Sequence, residues 1–156
     1  MDPIDSFMHE DQRFINELWK NTQGAASYQT WELAQHFLDT FIQGLLLHID
    51  IEEKILFPAL EERQGWSDGP TSLMRREHDE IKYQLHQLKT MAEEWSVDEF
   101  RETGDLLTSL MELHNSREKI VFYPLCTQAM GIDTEEMLSL AQAQLWSRSR
   151  NPWKAE

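Results

Sequence analysis

The sequence predicts an all-α protein: an up-down-up-down four-helix bundle with a short fifth helix at its C-terminal end. Three observations carry this. Apolar residues recur at helical spacing in every long segment. No segment alternates as a half-buried strand would. Only 6 Gly and 5 Pro interrupt the 156 residues, most of them where breaks are expected. Long helices joined by short loops pack as antiparallel neighbours, which gives the bundle.

A first helix is expected from about Asp5 to Asn21, with Gly24 beyond it as a stop signal. A second spans about Thr30 to Glu62 and ends at Gln64-Gly65. Ser67-Asp68-Gly69-Pro70 is a loop by composition. The third, about Ser72 to Trp95, carries the stripe Met74, Ile81, Tyr83, Leu85 and Leu88. Ser96 with Glu99 forms a capping box that opens the fourth helix. Its stripe is Phe100, Leu107, Leu110, Met111 and Leu113, and it ends before Gly131. Asp133 with Glu136 is a second capping box, opening a fifth helix to about Trp146. Residues 1–147 are therefore read as one domain and 148–156 as a tail.

Asp and Glu number 28 against 14 Lys and Arg, for a formal charge of -14. Such a surface repels phosphate backbones and anionic lipid, so neither nucleic acid nor membrane is an expected partner. No apolar run reaches the roughly 18 residues of a membrane span, and Met1-Asp2-Pro3-Ile4-Asp5 is acidic where a signal peptide is basic. Cys126 is the single cysteine, so an intramolecular disulfide is excluded, and it is expected to be buried. The expectation is a soluble cytoplasmic protein. A homo-oligomer is not indicated.

Six histidines stand at 9, 36, 48, 78, 86 and 114. Two precede a glutamate by four residues: His48 with Glu52, and His114 with Glu118. Such a pair shares one helix face, about 6 Å apart along the axis, so an imidazole and a carboxylate can meet one metal cluster. The four long helices each offer one histidine: His9, His48, His78 and His114. The order is that of an internal repeat, a lone histidine and then HxxxE in each half. Aromatic-Pro follows each HxxxE at the same distance, as Phe57-Pro58 and Tyr123-Pro124. These elements are offset by 66 residues and the lone histidines by 69. His78 and His114 return to one level in an antiparallel pair, whereas the first two helices are mismatched by about one turn.

This set over about Phe7 to Leu125 resembles the hemerythrin-like HHE domain. The resemblance implies two non-haem iron ions with a bridging oxo or hydroxo group inside the bundle. It makes His9, His48, His78 and His114 terminal ligands, and Glu52 and Glu118 the bridges. Imidazole with carboxylate suits iron. Glu-x-x-His and HExxH, the competing helical metal patterns, are absent. Two six-coordinate irons so held keep roughly one open position each.

Oxygen-carrying hemerythrins have a fifth histidine four residues after the third, where this chain has Lys82. The sequence thereby resembles the four-histidine, two-carboxylate branch, which includes proteins linked to iron-sulfur repair and nitric oxide stress. The expected ligand is dioxygen or nitric oxide. The alternative is a di-iron redox enzyme or an iron-handling or repair protein, although the first helix starts within the first ten residues, where repair proteins usually carry a cysteine-bearing domain. No catalytic residue is assigned. Lys82 is expected to reach solvent, and His36 and His86 to be surface residues. Gly44 marks either close packing or ligand space. Trp19, Trp31, Trp95 and Trp146 are placed near helix ends, and each aromatic-Pro pair is expected to bend its helix. Of the 28 carboxylates, only Glu52 and Glu118 are expected to point inward.

Overall fold

The computed structural model describes residues 3–149. Seven α-helices follow in order: α1 (Pro3–Ser27), α2 (Trp31–Ile51), α3 (Phe57–Gln64), α4 (Pro70–Glu94), α5 (Val97–Arg117), α6 (Tyr123–Met130) and α7 (Thr134–Ser149). A π-helical turn, Glu52–Leu56, joins α2 to α3 into one long rod, and a second, Glu118–Phe122, joins α5 to α6. Four long rods form the bundle, and α7 packs back against α1 and the first π turn. Strands are absent among the described residues.

Proline explains the two π turns. Its ring collides with the carbonyl four residues earlier and it donates no hydrogen bond. Ahead of Pro58 and Pro124 the helix widens by one residue, so Phe57 N–H reaches Glu52 O and Tyr123 N–H reaches Glu118 O across five residues. The extra residue lets two consecutive side chains turn inward. Leu56 and Phe57 are both fully buried, as are Phe122 and Tyr123. Each aromatic-Pro pair therefore marks a widened turn.

Most helix ends fall where the sequence puts them. Gly65, at φ 68°, closes α3, with Trp66 N–H bonded back to Glu61 O. Trp95 takes the left-handed conformation after α4 without being glycine, and Ser96 N–H closes on Met91 O. Helix α1 runs through Gly24 to Ser27, because Ala25 and Ala26 bury in the core and hold one more turn together. Ser96 precedes α5 but makes no side-chain cap bond. Asp133 pairs instead with Arg63, which ties the start of α7 to α3. Residues 148 and 149 of the expected tail form the last turn of α7, and 150–156 lie outside the described residues.

Two apolar cores are stacked along the bundle. One gathers Ile15, Trp19, Phe41, Leu45, Ile81, Leu88, Leu107 and Met111. The other, the lower core, holds Ile4, Met8, Met74, Phe57, Phe122 and Cys126. Of the predicted stripes, Leu110 is half-buried, while Tyr83 and Leu113 face solvent. Trp19 and Trp31 belong to the core, Trp95 is exposed, and the side chain of Trp146 lies outside the description.

Burial repeats at an interval of 66 residues. Met8 matches Met74, Ile15 matches Ile81, Phe41 matches Leu107, Leu45 matches Met111, and Leu60 matches Cys126, all of them buried. A polar layer separates the cores at the same matched depth. Replacing Leu88 with Ala is expected to cost about 2–5 kcal/mol, since its site has no exposure. Leu113→Ala is expected to stay within about 0.5 kcal/mol. Denaturant unfolding of the two variants checks which face of each stripe is the core.

Candidate metal centre

Glu52, His78 and Glu118 are fully buried in the polar layer, and His48 and His114 nearly so. The π turns begin at the two glutamates, so each carboxylate points inward where its helix widens. Four residues converge on one point. His78 Nε2, His114 Nε2 and one oxygen each from Glu52 and Glu118 lie within 4.8 Å of one another. Ligands held about 2.0–2.2 Å from a first-row ion span at most about 4.4 Å, so a small inward movement closes the set on a metal.

Each carboxylate faces two ways. Glu52 Oε2 lies 3.0 Å from His78 Nε2, and its Oε1 lies 2.8 Å from His48 Nε2. Glu118 Oε1 lies 2.6 Å from His114 Nε2. Its Oε2 accepts from the Tyr123 hydroxyl at 2.7 Å, a hydroxyl that also lies 3.1 Å from Glu52 Oε1. A tyrosine hydroxyl has one proton, so it donates to one carboxylate at a time.

The far nitrogens of the three histidines are held by acids. Asp11 meets His48 Nδ1 at 2.7 Å, Glu53 meets His78 Nδ1 at 3.1 Å, and Glu77 meets His114 Nδ1 at 3.3 Å. A proton on Nδ1, donated outward, leaves Nε2 with its lone pair facing the centre. Phe57 stacks on the His78 ring with 5.6 Å between centroids and 5° between planes, which fixes the ring further. Lys82 lies 3.8 Å from Glu53, and Arg117 lies 3.4 Å from Glu77, half-exposed at the rim.

A cation fits this donor set. His48 Nε2, Glu52 Oε2 and Glu118 Oε1 are buried without hydrogen-bond partners. Their short contacts are not aligned for hydrogen bonding, which leaves three polar atoms unsatisfied inside the layer. His78 Nε2 and His114 Nε2 face each other at 2.9 Å. Two lone pairs hold that distance only around a proton or a metal ion.

Electrostatics agree. Burial disfavours charge on Glu118, and the Glu52 carboxylate beside it adds to this, so its pKa rises to about 7 despite the His114 charge. Burial works the same way on Glu52, yet the His48 charge and the close approach of Glu118, His48 and His78 hold it well below the usual range. Burial alone would lower His114, but the Glu118 and Glu52 charges raise it to about 9. His48 is likewise raised well above its ordinary value, burial being outweighed by Glu52 and Asp11. Burial and both carboxylates push Tyr123 well up, so it stays a neutral donor.

The structure thus brings together His48, Glu52, His78, His114 and Glu118 of the six ligands expected from the sequence. His9 is half-buried on α1 and stands outside the converging group. From α1 the layer receives Gln12, whose side-chain amide donates to the Tyr123 hydroxyl at 3.2 Å. Asp11, Gln12, Glu53, Glu77 and Tyr123 were not singled out for a role in the site by sequence reasoning. The 66-residue offset carried part of that signal, because Asp11 and Glu77 are repeat mates, each bound to the histidine of its own half's HxxxE. His36 and His86 are exposed, as expected. A Cβ added at Gly44 would meet only Ile15 at 3.7 Å and Leu18 at 3.8 Å, ordinary contact distances, so the position marks helix packing.

A family model for the hemerythrin HHE cation-binding domain matches residues 2–126. The chain belongs to that family. The matched span takes in α1 to the first half of α6, and so every residue of the polar layer. The chain is also 30% identical over 97 residues to the iron-sulfur cluster repair protein YtfE of Musicola paradisiaca (strain Ech703). That alignment covers 56% of this chain and 43% of the YtfE protein, so this HHE chain spans under half the length of that relative. No solved structure matches.

Protons take the place of metal charge in the metal-free protein. Glu118 and His114 both have folded-state pKa values above their ordinary 4.5 and 6.5. A raised value stabilises the fold below the ordinary pKa and is lost as pH climbs through the folded one. The Glu118 contribution therefore fades by about pH 7, and that of His114 by about pH 9. Glu52 is ionised throughout this window and contributes no slope. Metal-free protein is expected to melt at falling temperature from about pH 5 to about pH 9.5. Calorimetric scans across that range check it, and a rising melting temperature would contradict the arrangement.

Proposed function

We propose that the polar layer is a non-haem iron centre with which the protein binds or senses a small diatomic, dioxygen or nitric oxide. The observation that carries this is the convergence of two imidazole nitrogens and two carboxylate oxygens in a buried layer inside an HHE-family bundle. His78, His114, Glu52 and Glu118 would hold an iron ion. His48, with Glu52 and Glu118, would hold a second. Bound iron supplies a redox-active Lewis acid with a coordination position left for a small ligand.

The chain's own residues prepare the rest. Asp11, Glu53 and Glu77 keep the imidazoles in the metal-binding tautomer. Phe57, Phe122 and Met74 seal the layer from water on the side of the lower core. Tyr123 offers the one buried hydroxyl donor beside both carboxylates. Lys82 pairs with Glu53 at the position four residues after His78, where an oxygen carrier has a further histidine.

A second reading, a redox enzyme or an iron-handling or repair protein acting in nitric oxide or oxidative stress, is supported by the likeness to YtfE. Turnover separates the two. Reduced, iron-loaded protein that consumes peroxide or nitric oxide repeatedly is an enzyme.

Anaerobic reduced protein is expected to develop new visible absorption on adding nitric oxide or dioxygen. Silence with both gases removes the gas-binding reading, and protein that retains zinc but no iron removes the iron. Stripping the metal is expected to lower the melting temperature, since free metal at 100 Kd stabilises by about 2.7 kcal/mol. Equal melting of metal-free and metal-loaded protein would count against binding in this layer.

A further inference from the structure

The 66-residue repeat relates the two halves of the layer residue by residue. His48 matches His114, Glu52 matches Glu118, and Asp11 matches Glu77. These pairs also do equivalent jobs, since Asp11 and Glu77 hold the two matched histidines. The mate of His78 is Gln12. It sits between Met8 and Ile15 as His78 sits between Met74 and Ile81, and it is buried in the same layer.

Two further exchanges accompany this one. Glu53, which holds His78 Nδ1, has as its mate Lys119, which is exposed. A lysine there could not orient an imidazole. Phe57, stacked on His78, has as its mate Tyr123, whose hydroxyl accepts from Gln12 and lies against both carboxylates. One half thus has histidine, its acid and its stacking ring. The other has glutamine, a surface lysine and a hydroxyl. The Gln12 amide also lies 3.4 Å from Asn115 Oδ1, so its donor is used within the protein.

We infer that the centre holds two metal positions of unequal strength, with Gln12 and Tyr123 standing where the weaker half lacks its second histidine. This rests on the metal-binding reading above. His78, His114, Glu52 and Glu118 make the strong position. The weak one has His48 and the other carboxylate oxygens, its remaining side closed by a hydrogen-bonded pair. Loss of an outer partner of a metal-bound histidine weakens affinity by 10–100-fold. Here both the histidine and its partner are replaced, so the gap should be at least that large.

The test is anaerobic titration of metal-free protein with Fe(II), and separately with Co(II), followed by calorimetry and visible absorption. One tight equivalent is expected, with a second at least about 10–100-fold weaker. His9→Ala should leave both steps unchanged. Gln12→His combined with Tyr123→Phe and Lys119→Glu copies the strong half, and should bring the second equivalent within about tenfold of the first. Two equal equivalents in the natural protein would overturn the inference, as would loss of one on His9→Ala or an unaltered second step in a folded triple variant. If the triple variant does not fold by circular dichroism, the natural protein and His9→Ala decide alone. Absence of any binding, or binding indifferent to both His78→Ala and His114→Ala, would instead remove the metal-binding reading itself.

Discussion

Two glutamates side by side in the middle of a helical bundle set the terms for everything around them. Glu52 and Glu118 have no exposure. An isolated buried carboxylate is costly, and two that face each other repel as well. The fold can retain them only if one of them takes up a proton or positive charge lies beside them. Imidazolium supplies it in the metal-free chain, as the raised His48 and His114 show. A metal ion supplies it with shorter bonds and more of them. The histidines, the acids behind them and the tyrosine are all arranged around that requirement.

The backbone is shaped by the same need. An ordinary helix brings every third or fourth residue to one face, which suits His48 with Glu52 but not the adjacent inward pair Leu56 and Phe57. The π turn that starts at each glutamate changes the face by one residue. It lets the polar layer end and the lower core begin without a break in the rod. Pro58 and Pro124 make that turn the less strained course. The layer thereby sits between two apolar cores that keep water out.

Much of this was legible in the sequence, and the limits are instructive. Most helix ends, among them those at Gly65 and Gly131, and both HxxxE pairs followed from spacing, because helical faces are periodic and glycine accepts the positive φ that ends a helix. The π turns were read only as bends, since Pro in a helix signals a departure without saying which. Asp11, Glu53 and Glu77 looked like surface charge, because in a chain with 28 acidic residues an acid beside a ligand does not stand out. The first-helix position was the instructive case. Searching for histidine found His9, three residues out of register. Following the apolar register Met8, Ile15 and Trp19 against Met74, Ile81 and Leu85 leads to Gln12. Burial fixes which residues share a layer more firmly than residue type does.

The charge of -14 takes on a different meaning once the layer is in view. Besides the two central glutamates, three more carboxylates lie half-buried behind the histidines, with Lys82 and Arg117 at the rim beside two of them. Acids thus outnumber the groups that offset them within the layer, and an acidic surface raises the local concentration of cations around it. Near neutral pH the metal-free layer holds a proton on His114 and a partly occupied one on Glu118, with the raised His48 beside them. A cation held by the same groups would displace those protons and take over part of their compensation of the two glutamates. Solubility and metal binding use the same excess of acid, spread over the surface in one case and focused on a single layer in the other.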